Sequence, residues 1–197
     1  MERNELYPIF LKVHTLKALI VGAGNVGLEK IKFLLKSSPN ARIEMVAPAC
    51  LDEITQLSKI HRIKITKDVY HADYLNGKDI VIACTDQPEV NEQVYHDCRA
   101  QNKLVNVADN PPFCDFYMGG IVTKGNVKVA ISTNGKSPTM AKRLRQFFEE
   151  VLPEDIDELV KNLNEYQKTI KGDFETKVEE MNQVTKDLIE QKIKTKE

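Results

Sequence analysis

The chain has 197 residues, of which 42% are hydrophobic, with a formal net charge of −1, enough apolar material for one full domain plus an appendage and tight for two. The near-equal Lys+Arg and Asp+Glu counts of 28 and 29 exclude a global field that recruits nucleic acid or anionic lipid, so an anionic partner must meet a local basic patch. No apolar run approaches a bilayer span, and "MERNELYPIFLKVHTLK" lacks an apolar core followed by a small-residue cleavage site; a cytoplasmic chain with no membrane and no nucleic-acid partner is expected.

From Lys17 to about Val107 short β-branched runs ("KALIVG", "RIEMVAP", "RIKIT", "DIVIACT", "KLVNVAD") alternate with stretches such as "NVGLEKIKFLLKSS" and "PEVNEQVYHDCRAQ", whose apolar residues recur at spacings of three and four. Strands separated by helices require crossover connections, which predicts an α/β fold with a Rossmann-like, doubly wound parallel sheet. The first strand runs into G-x-G-x-x-G at Gly22, Gly24 and Gly27. There Gly22 permits the reversal, Gly24 leaves room for a pyrophosphate, and Gly27 lets the helix pack close to the strand, so a dinucleotide is expected on the helix amides. An NAD site ordinarily places an acid at the end of the second strand, yet here that strand ends in Val46-Ala47-Pro48, and Glu44 lies mid-strand. With no arginine at that strand end for a 2′-phosphate, NAD is preferred over NADP.

The fourth strand delivers Thr85 and Asp86, and the fifth delivers Asn106 and Asp109, to the carboxyl rim where ligands bind in such sheets. Pro111 and Pro112 stiffen the chain after Asp109. Two uses of Asp109 stay open on the residues alone: a catalytic carboxylate, or a turn cap with Asn110-Pro111. Asp86 reads as a helix N-cap in "TDQPEV".

After the two prolines the pattern changes. "GGIVTKGNVKVAIS" holds two strand-like runs split by Lys124-Gly125-Asn126, an antiparallel hairpin that should extend the sheet or pair with a second subunit. An Asn-Gly turn, Ser137 as N-cap and Pro138 at the first helical position then start a helix with Met140, Leu144, Phe147, Phe148 and Val151 on one stripe. Lys136, Lys142, Arg143 and Arg145 crowd its start, where cations oppose the helix dipole; they form either a site for a polyanion or a solvated charged face. A charged helical region follows from Pro153, with a break at Lys171-Gly172 and a fraying end, "DLIEQKIKTKE". The chain divides into 1–112, 113–150 (hairpin plus helix) and 151–197. Cys50, Cys84, Cys98 and Cys114 lack C-x-x-C spacing and read as reduced core thiols, and no metal ligands are assigned.

Together "LYPIFLKVHTLKALIVGAGNVGLEK", "MVAP", "ACTDQPEVN", "VNVADNPPFCDF", "VAISTNGKSPTMAKRLRQ" and "LPEDI" resemble the dehydrogenase and chelatase part of sirohaem synthase, over roughly residues 5 to 155. That family includes free-standing precorrin-2 dehydrogenases, some of which also act as sirohydrochlorin ferrochelatases. The resemblance implies NAD-dependent oxidation of precorrin-2 to sirohydrochlorin, with Fe²⁺ as the substrate of a further insertion step. It also implies a homodimer formed by the segment after Asp109. It matches Asp109 to the family's catalytic aspartate, and it matches Gly24, Asn25, Val26, Pro48 and Ala49 to cofactor contacts beside Gly22 and Thr85. The tetrapyrrole's carboxylates fall to Lys136, Ser137, Lys142 and Arg143. His14, His61, His71 and His96 all precede the hairpin, so the tail offers no imidazole for iron, and dehydrogenation is ranked above insertion. The methyltransferase half of the fused enzyme is not expected within these residues. The rival readings are a regulatory NAD-sensing module without catalysis, and another small NAD-dependent dehydrogenase, against which the lack of an obvious catalytic Tyr-x-x-x-Lys pair counts.

Overall fold

Lys17–Val21 (β1) is buried on both faces from Ala18 onward, as a central parallel strand must be. In the computed structural model, which describes residues 4–186, Ala18 and Ile20 point into one core with Ile31, Leu34 and Leu35 of Asn25–Ser37 (α1) and Ile54 of Asp52–Ser58 (α2). Leu19 and Val21 point into the other, with Leu75 and with Val94 and Cys98 of Pro88–Ala100 (α3). One strand thus feeds two cores, because its side chains alternate while helices cover both faces. Each large side chain buried this way contributes about 1.5–3 kcal/mol.

Arg42–Val46 (β2), Ile63–Thr66 (β3), Ile80–Ala83 (β4) and Leu104–Val107 (β5) complete a five-stranded sheet of order β3-β2-β1-β4-β5. Every pairing is parallel, with Val21 in register with Val46 on one side and Ala83 on the other. All five strands fall on the runs picked out by β-branching. The order reverses between β1 and β4, which opens a crevice at their carboxyl ends. The β3 to β4 crossover is a short 3-10 turn, Ala72–Leu75, instead of an α-helix.

Gly120–Lys124 (β6) and Val127–Ile131 (β7) make a separate two-stranded sheet, so the hairpin does not extend the main one. Its loop is Gly125-Asn126, with Gly125 at φ +55°. Pro138–Val151 (α4), Ile156–Thr169 (α5) and Phe174–Thr185 (α6) follow. The break between α5 and α6 contains Gly172 at φ +132°, as the sequence predicts. The expected fraying of "DLIEQKIKTKE" concerns 187–197, which lie outside the described residues.

Two compact units result. Among the described residues, 4–120 with Ile131–Ala141 forms one; Ile121–Ala130 with 142–186 forms the other. Within the second, Asp157 at the start of α5 accepts the backbone and side-chain N–H groups of Asn126 at 2.6 and 2.7 Å, clamping the hairpin tip. Lys124 donates to the Leu152 carbonyl at 2.6 Å and pairs with Glu154. Tyr166 of α5 donates to Glu180 of α6 at 2.6 Å.

Candidate active site: a dinucleotide cleft and the Asp109 loop

The three glycines separate by the space around each. Gly22 has φ +110°, and a Cβ there would lie 2.7 Å from the Cys84 carbonyl oxygen. A Cβ on Gly27 would overlap the Gly22 carbonyl oxygen, so the first turn of α1 packs directly on the glycine turn. Gly24, the N-cap of α1, has φ −86°, and a Cβ there would meet nothing within 4 Å, so its backbone faces open space. The first helical bond runs from Leu28 N–H to the Gly24 carbonyl at 2.9 Å, which leaves the amides of Asn25, Val26 and Gly27 without intrahelical partners. Such amides at the positive end of a helix dipole suit a pyrophosphate.

Gly22 to Val26 border a cleft of about 670 Å³, within the usual range for small-molecule sites. Gly22, Gly24, Asn25, Val26, Pro48, Ala49 and Thr85, the seven residues assigned to the cofactor from sequence, all line it. Leu51 N–H donates to the Ala23 carbonyl at 3.2 Å, tying the loop after β2 to the glycine turn. Asp86 is the one charged side chain in the lining, which contains no lysine or arginine. A dinucleotide therefore fits the turn, while a 2′-phosphate would find no cation. Glu44 takes no part. It is held mid-strand by Lys64 at 2.8 Å and Lys78 at 3.2 Å; burial opposes its ionisation, and the lysines outweigh burial, so its pKa lies below the ordinary glutamate value.

Several lining residues carried no usable sequence signal. Tyr70 sits in an irregular loop after β3 and donates to Asp97 of α3 at 3.1 Å; burial first, then Asp97, raises its pKa strongly. Cys84 is a core thiol pushed up to about 12 by burial, but Cys50 is half-buried and lines the cleft, contrary to a uniform reading of the cysteines as core. Asp86 does not cap α3. Gln87 is the N-cap, without a side-chain bond, and the start is built by Thr85, whose hydroxyl accepts Gln87 N–H at 3.2 Å, and by Asn91, whose side-chain oxygen accepts Thr85 N–H at 3.0 Å.

Asp109 does not line the cleft, but its loop adjoins it. Ala108 N–H donates to the Ala83 carbonyl at 2.9 Å, and the next two residues of that strand end, Cys84 and Thr85, are lining residues. Asp109 is exposed and adopts φ +58°, a left-handed conformation in which Asp and Asn are several-fold enriched among non-glycine residues. No side-chain cap serves the following Pro111–Phe113 turn, which removes the capping reading of this carboxylate. Asn106 is not at the rim. It is buried inside β5, and its side-chain amide donates to the Phe116 carbonyl at 2.9 Å.

The start of α4 follows the sequence. Asn134 and Gly135 have φ +54° and +73°, and the Ser137 hydroxyl accepts Met140 N–H at 3.2 Å. Lys136, Ser137, Lys142 and Arg143 are absent from the cleft lining. Arg143 donates to Gln146 at 3.1 Å, and Arg145 is paired with Glu149, so Arg145 is committed within its own helix. Among the described residues, no three His, Cys, Asp or Glu side chains are grouped to hold a metal ion, and no helix is long and apolar enough to cross a membrane.

Comparison with known proteins fits this geometry. A family model described as "Putative NAD(P)-binding" matches residues 9–120, and one described as "Sirohaem biosynthesis protein central" matches residues 124–150. A siroheme synthase of Pseudoalteromonas atlantica is 34% identical over 170 residues, covering 86% of this chain and 36% of that protein. One from Psychrobacter sp. (strain PRwf-1) is 37% identical over 170 residues, covering 86% and 34%. The chain thus spans about a third of the length of the curated relatives it matches. The solved structure of "SirC, precorrin-2 dehydrogenase" has the same fold, with a TM-score of 0.72 at 21% identity, covering 91% of this chain and 89% of that one. The likeness to the dehydrogenase part of sirohaem synthase read from the sequence is borne out. A single model spans more than half of the residues, including the whole parallel sheet and its glycine turn, and on that ground the chain belongs to the NAD(P)-binding family.

Proposed function

We propose that this chain oxidises precorrin-2 to sirohydrochlorin with NAD in the synthesis of sirohaem. The observation that carries this reading is the meeting, on one sheet rim, of a dinucleotide turn and an exposed aspartate in left-handed backbone tied to the end of β4. The relatives' names, and the sequence motifs shared with their dehydrogenase part, supply the substrate.

NAD would supply a hydride acceptor for the macrocycle. The amides of Asn25 and Val26 would hold its pyrophosphate, Pro48, Ala49 and Thr85 would wall the cleft around it, and the lack of a lining cation disfavours a 2′-phosphate. The substrate also loses a proton, which the Asp109 carboxylate accepts as general base. Lys136, Ser137, Lys142 and Arg143, at the entry and first turns of α4, bind the macrocycle's carboxylate arms. Insertion of Fe²⁺, as a substrate, is the second activity and ranks below oxidation; the two pyrrole nitrogens would release one proton each, and the same carboxylate would relay them in turn to solvent. Residues 1–112 act as the dinucleotide-binding domain, and 113–150 form the dimerisation segment of a cytoplasmic homodimer. The exposed apolar stripe of α4 supports that last assignment.

The test is anaerobic incubation with precorrin-2 and either NAD or NADP, following reduced cofactor and chlorin absorbance together. Equal amounts of NADH and sirohydrochlorin are expected, with little turnover of NADP. Tight NAD binding with no oxidation of precorrin-2 would overturn the proposal.

A further inference from the structure

The residues that hold the Asp109 loop converge on one atom. The Cys114 sulfur receives Val107 N–H at 3.3 Å and the Asn106 side-chain amide at 3.4 Å. It lies 3.2 Å from the Val107 carbonyl and 3.3 Å from the Asn110 carbonyl, which share its single proton. Val107 and Asn110 bracket Ala108 and Asp109, so the thiol closes a ring around the two residues that turn the chain. Burial, opposed by the Val107 N–H, raises the thiol's pKa and keeps that proton in place.

The rest of the loop is anchored further out. Phe113 stacks on Tyr95 of α3 at 4.4 Å between ring centroids and 14° between planes. Asp115 N–H donates to the Val105 carbonyl at 2.8 Å, while its carboxylate accepts Val105 N–H and Arg99, both at 3.0 Å. These contacts fix where the loop ends. Closer in, one backbone bond from Asn110 N–H to the Val107 carbonyl, long at 3.3 Å, spans Asp109, whose φ of +58° is disfavoured for a residue with a Cβ. Left-handed backbone persists only where its surroundings over-determine it. Without the sulfur, the long Asn110 to Val107 bond alone closes the turn, and Asp109 relaxes toward negative φ, which swings its Cα–Cβ bond and carries the carboxylate to another place.

We infer that Cys114 is a positioning residue: its thiol holds Asp109 in left-handed backbone so that the carboxylate meets the substrate. The inference rests on the catalytic reading of Asp109 given above. Cys114 is absent from the cleft lining, so its loss acts on the carboxylate and spares the dinucleotide.

The experiment compares Cys114→Ala and Cys114→Ser with the wild-type chain in steady-state oxidation of precorrin-2 and in calorimetric titration with NAD. Cys114→Ala should lower kcat on the order of 10- to 100-fold, the cost of misplacing a reacting group by about 1 Å, with the Kd for NAD within about twofold of wild type. Cys114→Ser keeps a donor and an acceptor at the same position and should recover most of the lost kcat. A folded Cys114→Ala variant with wild-type kcat, or one whose loss appears only in the Kd for NAD, would overturn the inference. Should Cys114→Ala fail to fold, Cys114→Ser decides: a folded serine variant without activity contradicts a role that a hydroxyl can fill. Asp109→Asn is run beside them. If it turns over at the full rate, the catalytic reading itself fails; if it is inactive while Cys114→Ala is fully active, only the positioning role fails.

Discussion

At the scale of single residues, the glycine turn assigns separate tasks to neighbouring positions. Gly24→Ala should leave thermal stability unchanged, because its new Cβ meets nothing in the free protein. It should weaken NAD binding about tenfold or more, since the same carbon enters the space proposed for the pyrophosphate. Gly27→Ala should behave oppositely, losing about 1–3 kcal/mol of stability through overlap with the Gly22 carbonyl. Calorimetric titration and thermal melts of the two variants check this, and equal effects on binding and stability would contradict it. Glu44 makes the pH prediction. Its folded-state pKa is depressed, so its contribution to stability is fully present above the ordinary carboxylate pKa and is lost as pH falls through the lower, folded value. In urea unfolding, wild type and Glu44→Gln should therefore differ most near neutral pH and converge as pH falls below the ordinary glutamate pKa. The glycine spacing was legible because the turn demands glycine for separate reasons: positive φ and backbone contact at Gly22, backbone contact at Gly27, and open space at Gly24. Tyr70 and Cys50 were not, since an irregular loop carries no periodicity to reveal that it folds over a cleft.

At the scale of elements, the sheet was readable because a parallel strand covered on both faces reads as an apolar run: β1 and β4 are unbroken from Ala18 and Ile80, and β2, β3 and β5 keep enough β-branched residues to stand out around Glu44, Lys64 and Asn106. The loop after β5 was only half readable. "NPP" announces a halt to regular structure, but the left-handed Asp109, the buried Asn106 and the Cys114 hub come from hydrogen bonds between positions whose spacing has no regular period. The α4 stripe shows the reverse case. Its periodicity predicts a helix, and the helix forms, yet Met140, Leu144, Phe147 and Val151 remain 36–54% exposed. An amphipathic helix gains little from forming unless its apolar face is covered. Under the proposed homodimer, Phe147→Asp should weaken self-association by about 2 kcal/mol or more, as expected for an aromatic anchor. Light scattering with size-exclusion chromatography checks this, and a dimer unchanged in mass and dissociation constant would contradict it.

At the scale of the whole molecule, an ordinary Rossmann-like sheet supplies a cofactor cleft, and the segment that leaves its edge strand supplies a carboxylate beside it. The fold alone would serve a sensor as well as an enzyme, because doubly wound sheets host many functions. What separates the two is chemistry at Asp109, which a sensor does not need. The substitution suited to the question is Asp109→Asn, since asparagine tolerates left-handed backbone and removes only the ionisable group. The most direct measurement is single-turnover formation of NADH from precorrin-2 by wild type and Asp109→Asn, with NAD affinity measured on both. The account predicts native folding and unchanged NAD binding in the variant with NADH formation slowed on the order of 10²-fold or more, the usual scale of a lost general base. NADH formation at the wild-type rate in Asp109→Asn would contradict it.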